Sequence, residues 1–160
     1  MSSTNKTSLG LNMWEASDKP VRQDFVNDNV IINEKITKLN SDLTAIGTYV
    51  TTNGENTSCA NGTTTDIFTQ TLSAGTWVVS ATVFFNVLVP DSRINAIMDI
   101  GGETAEQVQM PAFSTSYQPR IGLCSIKKIT NTTTVTIKAT QNSGSAANIQ
   151  CTRFAAVQIK

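Results

Sequence analysis

The sequence predicts a mainly β protein, an antiparallel β-sandwich preceded by a short N-terminal α-helical coiled-coil neck. Three observations carry that expectation. Within residues 24–50, seam positions recur at alternating spacings of four and three, the a/d pattern of a heptad repeat. Beyond residue 50 the chain breaks into about eight runs of β-formers, separated by polar turns every ten or so residues. Charged residues make up only 15% of the chain while apolar ones reach 39%, so the Thr-, Ser- and Asn-rich remainder reads as strands and turns, not as disorder.

Residues 1–23 open with a polar tail and reach Leu9, Leu11, Met13 and Trp14, an apolar cluster with no core of its own. Two uses stay open for it: folding back on the neck or a neighbouring subunit, or docking on a larger assembly. Asp18 and Pro20 favour a bend, which leaves Gln23 or Asp24 placed to cap a helix. The seam then runs Phe25, Asn29, Ile32, Ile36, Leu39, Leu43 and Ile46, with Val50 next by spacing. Asp28, Glu34, Lys35, Lys38 and Asp42 form the solvated outer face. So narrow a stripe has little to bury against except copies of itself. Val26, Val30 and Ile31 widen it at one end, as an ordinary amphipathic helix packed on a core would require.

Isoleucine at seam positions favours more than two strands, and Asn29 weakens one layer. Gly47 stands where a C′ glycine ends a helix, so Val50 belongs to the pattern by spacing and not by chemistry. About 23 helical residues, roughly 35 Å, are too few to hold an oligomer alone. The chain therefore divides into an attachment segment (residues 1–23), a neck (24–50) and a β head (51–160), with a turn signal at 53–56 marking the last boundary.

In the head, residues 66–72 make a first long strand, closed by a turn at 73–75. Residues 76–89 are nearly continuous β-formers, too long to stay flat, and a bend or bulge is expected around Phe84 and Phe85. A strand at 93–100 ends at Gly101 and Gly102. Residues 103–110 read as an edge strand or loop, 113–119 as a loop, and 120–126 as a strand. Residues 132–140 alternate with period two, which puts Val135 and Ile137 on one side. After a turn at 141–145, residues 149–159 form a final strand suited to the interior of a sheet.

Twelve basic and twelve acidic side chains cancel, which removes a broad electrostatic footprint for nucleic acid. No apolar run reaches membrane-spanning length, and the first residues lack the basic start and apolar core of a secretory signal; folding in the cytosol without membrane insertion is expected. The chain has no histidine. That excludes Ser-His-Asp and Cys-His nucleophile systems and the usual catalytic zinc sites, so neither an enzyme nor a cofactor or metal is expected. Cys59, Cys124 and Cys151 are odd in number and irregularly spaced. They read as buried reduced thiols, with one Cys124–Cys151 or Cys59–Cys151 bridge as the alternative.

Glu103 and Glu106, with Asp99 nearby, form the close acidic group of the head. Paired carboxylates serve glycoside cleavage, but in a polar loop they read as solvated surface. Trp77, inside a strong strand, reads as core. Phe113 and Tyr117, in a loop, are the candidates for stacking on sugar rings.

Two stretches add a family resemblance. Leu9-Gly10-Leu11-Asn12-Met13-Trp14-Glu15, followed by residues 18–29, resembles the opening of bacteriophage and prophage tail-appendage proteins, which read L-G-L-x-x-W and then D-P-V-x-x-x-D-F-N-x-D-N before a short helix. Lys19, between Asp18 and Pro20, and Val26, between Phe25 and Asn27, depart from that pattern. Residues 72–81 and the closing residues 151–160 are similar to the trimeric jelly-roll heads related to tumour necrosis factor and complement-type globular domains. The resemblance implies a homotrimer. Its attachment segment, with Leu9, Leu11 and Trp14, would join other virion proteins of baseplate, tail or capsid. Its distal head would bind a host-surface polysaccharide, in a virion assembled in the host cytoplasm. The function implied is adhesion. A head or collar fibre with a mainly structural role is the alternative, and a polysaccharide depolymerase the alternative of another class. A secreted cytokine-like ligand is disfavoured by the missing signal and the cysteine count.

Overall fold

The computed structural model describes residues 4–87, 89–112 and 118–160. The chain forms two compact units, Met1–Ile46 and Gly47–Lys160.

The first unit is built on helix α1, Arg22–Ala45. Pro20 holds the chain extended into Val21 (φ −105°, ψ 159°), and the helix starts immediately after. Asp24 caps it from inside: its carboxylate accepts the Val21 N–H at 2.9 Å, while the Asp24 N–H donates to the Val21 carbonyl at 3.0 Å. Its charge also sits at the positive end of the helix dipole. Ile46 leaves the helix (ψ 130°), and Gly47 follows with φ +85°, a conformation that a side chain disfavours. Upstream, Lys6 and Asn12 form an antiparallel bridge around a turn in which the Gly10 N–H donates to the Thr7 carbonyl at 2.9 Å. Asn12 then donates to Asp28 Oδ1 from both its backbone and its side-chain nitrogen, each at 3.0 Å. Trp14 lies against Phe25, ring centroids 5.7 Å apart. The N-terminal segment therefore folds back on the helix.

The second unit holds strands β1 (Tyr49–Thr52), β2 (Thr57–Cys59), β3 (Thr65–Leu72), β4 (Gly75–Phe85), β5 (Arg93–Ile100), β6 (Glu103–Pro111), β7 (Arg120–Ile129), β8 (Thr133–Gln141) and β9 (Ala147–Gln158). All pair antiparallel in two sheets: β1-β9-β4-β7, with β2 also on β9, and β3-β8-β5-β6. β1 and β2 lie along one edge of β9, interrupted at residues 53–56. With those two counted as one broken strand, the order is that of a jelly roll. β9 is interior to its sheet, as the sequence leads one to expect.

Period-two alternation fills the space between the sheets. Trp77, Val79, Ala81, Val83 and Phe85 point inward from β4, as do Ile94, Ala96, Met98 and Ile100 from β5 and Val135, Ile137 and Ala139 from β8. β9 changes parity midway: its register with β4 shifts between Thr82 and Val83, which leaves Thr152 as an extra residue and keeps both Cys151 and Phe154 buried. The buried Trp77 indole N–H donates to the Ser73 carbonyl at 3.0 Å, so its burial leaves no polar group unmet.

Four expectations are corrected. The neck does not extend to residue 50, because Tyr49–Thr52 hydrogen-bond to β9 and fold with the sandwich. Nor do residues 53–56 divide the units: the Gly54 N–H donates to the Cys151 carbonyl at 2.7 Å, and a Cβ at Gly54 would press on Cys151 and Phe68. β4 stops at Phe85, and the irregularity falls opposite Thr82–Val83. The cysteines are free, as expected, and Cys59 and Cys151 are buried, but Cys124 is exposed because it occupies an outward position of β7.

Candidate association surfaces

On α1 the seam residues Phe25, Asn29, Ile32, Ile36, Leu39 and Leu43 are all exposed, Leu39 at 67% and Leu43 at 65%. Ile46 is exposed as well, but beyond the helix. Leu9 of the folded-back segment lines a depression of about 410 Å³ with Ile36 and Leu39, flanked by Lys35, Lys38 and Asp42. Leu11 is half-buried and Trp14 sits at the edge of exposure. An isolated helix draws most of its stability from packing its apolar face. Covering each of these half-exposed side chains would contribute roughly 1–2 kcal/mol. The Lys38–Asp42 pair, 2.7 Å and solvent-exposed, adds little.

The sandwich carries a second uncovered apolar surface. Antiparallel register sets Tyr49 (β1) beside Val157 (β9), Val157 beside Val78 (β4), and Val78 beside Ile126 (β7), one continuous row across the outer face. Tyr49 is 70% exposed, Ile126 66% and Val157 40%. The next row, Thr51, Ala155, Ser80 and Cys124, consists of small residues. Arg120, Arg153 and Lys128 stand toward the ends of the face, and among the described residues no acidic side chain lies on it. Its counterpart on the β3-β8-β5-β6 sheet is polar, with Thr69 beside Thr136, Thr71 beside Thr134, and Asp66 beside Lys138. There Asp99 pairs with Lys138 at 2.6 Å and accepts the Thr104 hydroxyl at 2.9 Å. One outer face is thus polar and the other carries an exposed apolar row.

The acidic group of the head is engaged in pairs. Glu103 binds Lys127 at 2.9 Å, and Glu106 accepts the Cys124 N–H. Burial works to raise the Asp99 carboxyl, but the hydrogen bonds from Lys138 and Thr104 and the Lys138 charge outweigh it and hold the carboxyl below its ordinary value. Among the described residues no three His, Cys, Asp or Glu side chains gather as metal ligands. Nor, among the described residues, is any helix long and apolar enough to cross a membrane. Phe113 and Tyr117 lie outside the described residues. The row Tyr49, Val157, Val78 and Ile126 was missed by sequence reasoning, although the uninterrupted Trp77-Val78-Val79 carried a signal: apolar residues on both faces of a strand mark it as covered on both sides.

Two sheets in jelly-roll order, with one helix ahead of them, define the chain as an antiparallel β-sandwich. No family model matches it, and no curated protein does. Solved structures do. The structure of infectious bursal disease virus Gx strain matches 70% of this chain and 32% of its own, at TM-score 0.52 and 11% identity. T=1 particles derived from infectious bursal virus match 70% of this chain and 31% of theirs, at TM-score 0.51 and 14% identity. The chain thus spans about a third of the length of these viral chains, and the likeness is one of fold. The C-terminal domain of the sugar-binding protein EclA matches more loosely, at TM-score 0.42 and 12% identity over 69% of this chain and 79% of its own, and carries no weight.

Proposed function

We propose that the chain is the protomer of a homotrimeric virion appendage, a tail-fibre or receptor-binding protein that holds a host cell-surface polysaccharide by adhesion and not by turnover. The observation that carries this reading is the exposed row of Tyr49, Val157 and Ile126, joined across β4 by the half-buried Val78. It is supported by the equally uncovered heptad seam of α1. A chain that leaves two apolar surfaces in water, one a flat sheet and one a heptad stripe, is built to meet copies of itself. Three copies would present three identical heads, and repetition raises avidity for a repetitive polymer without new contacts. The resemblance of residues 9–15 and 18–29 to phage appendages supports the virion setting, and the fold likeness to virus particles accords with it. With Glu103, Glu106 and Asp99 each engaged by a neighbour, the geometry favours adhesion over cleavage.

Sedimentation velocity tests the assembly: three chains per particle are expected, and a monomer at all concentrations would overturn the proposal. Binding of labelled protein to host cells, with no release of reducing ends from their polysaccharide, tests adhesion. Steady release of reducing ends would establish a depolymerase instead.

A further inference from the structure

At the start of β5, the outward side chains of neighbouring strands leave polar groups without partners among the described residues. Asn95 stands between Gln109 on β6 and Thr140 on β8 in one cross-strand row. Arg93, two residues earlier, is opposite Pro111; its backbone N–H donates to Asn142 Oδ1 and its carbonyl accepts the Asn142 N–H at 3.1 Å. Arg93, Asn95, Gln109, Thr140, Gln141 and Asn142 line a depression of about 190 Å³. A second of about 400 Å³ shares Arg93 and Gln109 and adds Asp91, Met110 and Pro111, within the roughly 300–1,000 Å³ of small-ligand sites.

The floor of this groove is rigid and saturated. The buried Gln141 donates to the Cys59 carbonyl at 3.1 Å and the Ser145 carbonyl at 2.8 Å, and accepts from the Ser143 N–H at 2.7 Å, which fixes the turn that carries Asn142. Its rim is not saturated. Beneath it, Asn95 Oδ1 is buried with no hydrogen-bond partner among the described residues. Neither the Arg93 guanidinium nor the Gln109 amide has an ion pair or hydrogen bond among them. Within the groove Thr140 is matched, to Thr64 at 2.7 Å, and farther along the same face Asp99 is held by Lys138 and Thr104. Unmatched amides complement hydroxyls, which donate and accept in turn, and a free guanidinium is shaped for a carboxylate. Arg93 is the charged side chain lining the first depression, since Asp91 lines only the second.

We infer that this groove binds a carboxylate-bearing saccharide of the uronic-acid type, its acid group on Arg93 and its hydroxyls on Asn95 and Gln109. This rests on the adhesive reading and names the ligand chemistry and the place on the head.

Titration of the isotope-labelled full chain with short oligogalacturonates tests it, with neutral galacto-oligosaccharides and sodium acetate as comparisons. The side-chain signals of Asn95, Gln109 and Arg93 should shift saturably with oligogalacturonate, at least tenfold more weakly with the neutral sugar, and not with acetate. Arg93→Met should erase the preference for the acid, and Asn95→Ala with Gln109→Ala should abolish binding while thermal unfolding stays unchanged. Shifts confined to other residues, no saturable shift at all, or acetate alone reproducing the Arg93 response would overturn the assignment. If the double variant holds host polysaccharide as well as the unaltered protein, the groove is refuted and the adhesive role stands. A groove that takes oligogalacturonate in a protein that ignores host cells refutes the adhesive role alone.

Discussion

Replacing Ile126 by aspartate strikes the proposed association face at one of its most exposed apolar points. At 66% exposure, the side chain makes few contacts within the protomer, so the fold should lose no more than about 1 kcal/mol, the span of strand propensity. In the proposed trimer each copy would forgo roughly 1–2 kcal/mol of isoleucine burial. Each would also have to desolvate a carboxylate on that face, where the outward Lys128, two residues along β7, offsets only part of a penalty of several kcal/mol per ion. Over three copies the loss reaches about 10 kcal/mol, and every 1.4 kcal/mol is tenfold in the association constant, so the variant should sediment as a monomer at micromolar concentration. Sedimentation velocity over a concentration series reads the assembly, and circular dichroism on the same samples reads the fold. Gln107→Asp, on the outer face of the other sheet, is the control and should leave three chains per particle. A variant at Ile126 that still sediments as a trimer would refute the assignment of this face, whatever else holds the chains together.

Deleting residues 1–46 should leave a folded, trimeric sandwich, whereas deleting 1–50 also removes Tyr49 and Val50 from β1 and should lower the melting temperature further; a monomeric 47–160 fragment would make the helix the organiser. A thiol reagent at pH 8 should find Cys124 alone. Burial pushes the Cys151 thiol up to about 11 and raises Cys59 as well, so both should react only on unfolding, and Cys124 should react faster in the Ile126→Asp monomer than in the assembly. Asp99 predicts a pH dependence. With its carboxyl held below the ordinary value, its contribution is present above about pH 3.9 and is lost as pH falls through the lowered folded value. Asp99→Asn should therefore be less stable than the natural chain at pH 7, with the gap closing in acid melts below pH 4.

Period and punctuation make most elements legible in the sequence. The alternation of Val135 and Ile137 places both in the core, the paired glycines Gly101 and Gly102 mark a hairpin, and Gly47 marks the end of the helix. Trp77 is legible as core because its strand is apolar on both sides. The engagement of Glu103 by Lys127 is not, since the two lie 24 residues apart and meet only where β6 and β7 bring the sheet edges together. Cys124 reads as buried because nothing in its neighbours shows which face of β7 turns outward.

By itself, the sequence determined where the helix lies and where most of the strands and turns fall, because those preferences are set by residues within one or two turns of one another. Tertiary structure decided which outer face is apolar and which is polar. Tyr49, Val78, Ile126 and Val157 span more than a hundred positions, and only the register of β1, β9, β4 and β7 makes them one row. That register is chosen by the summed burial of the inner faces. The outer face, on which the proposed assembly depends, is a consequence of packing elsewhere.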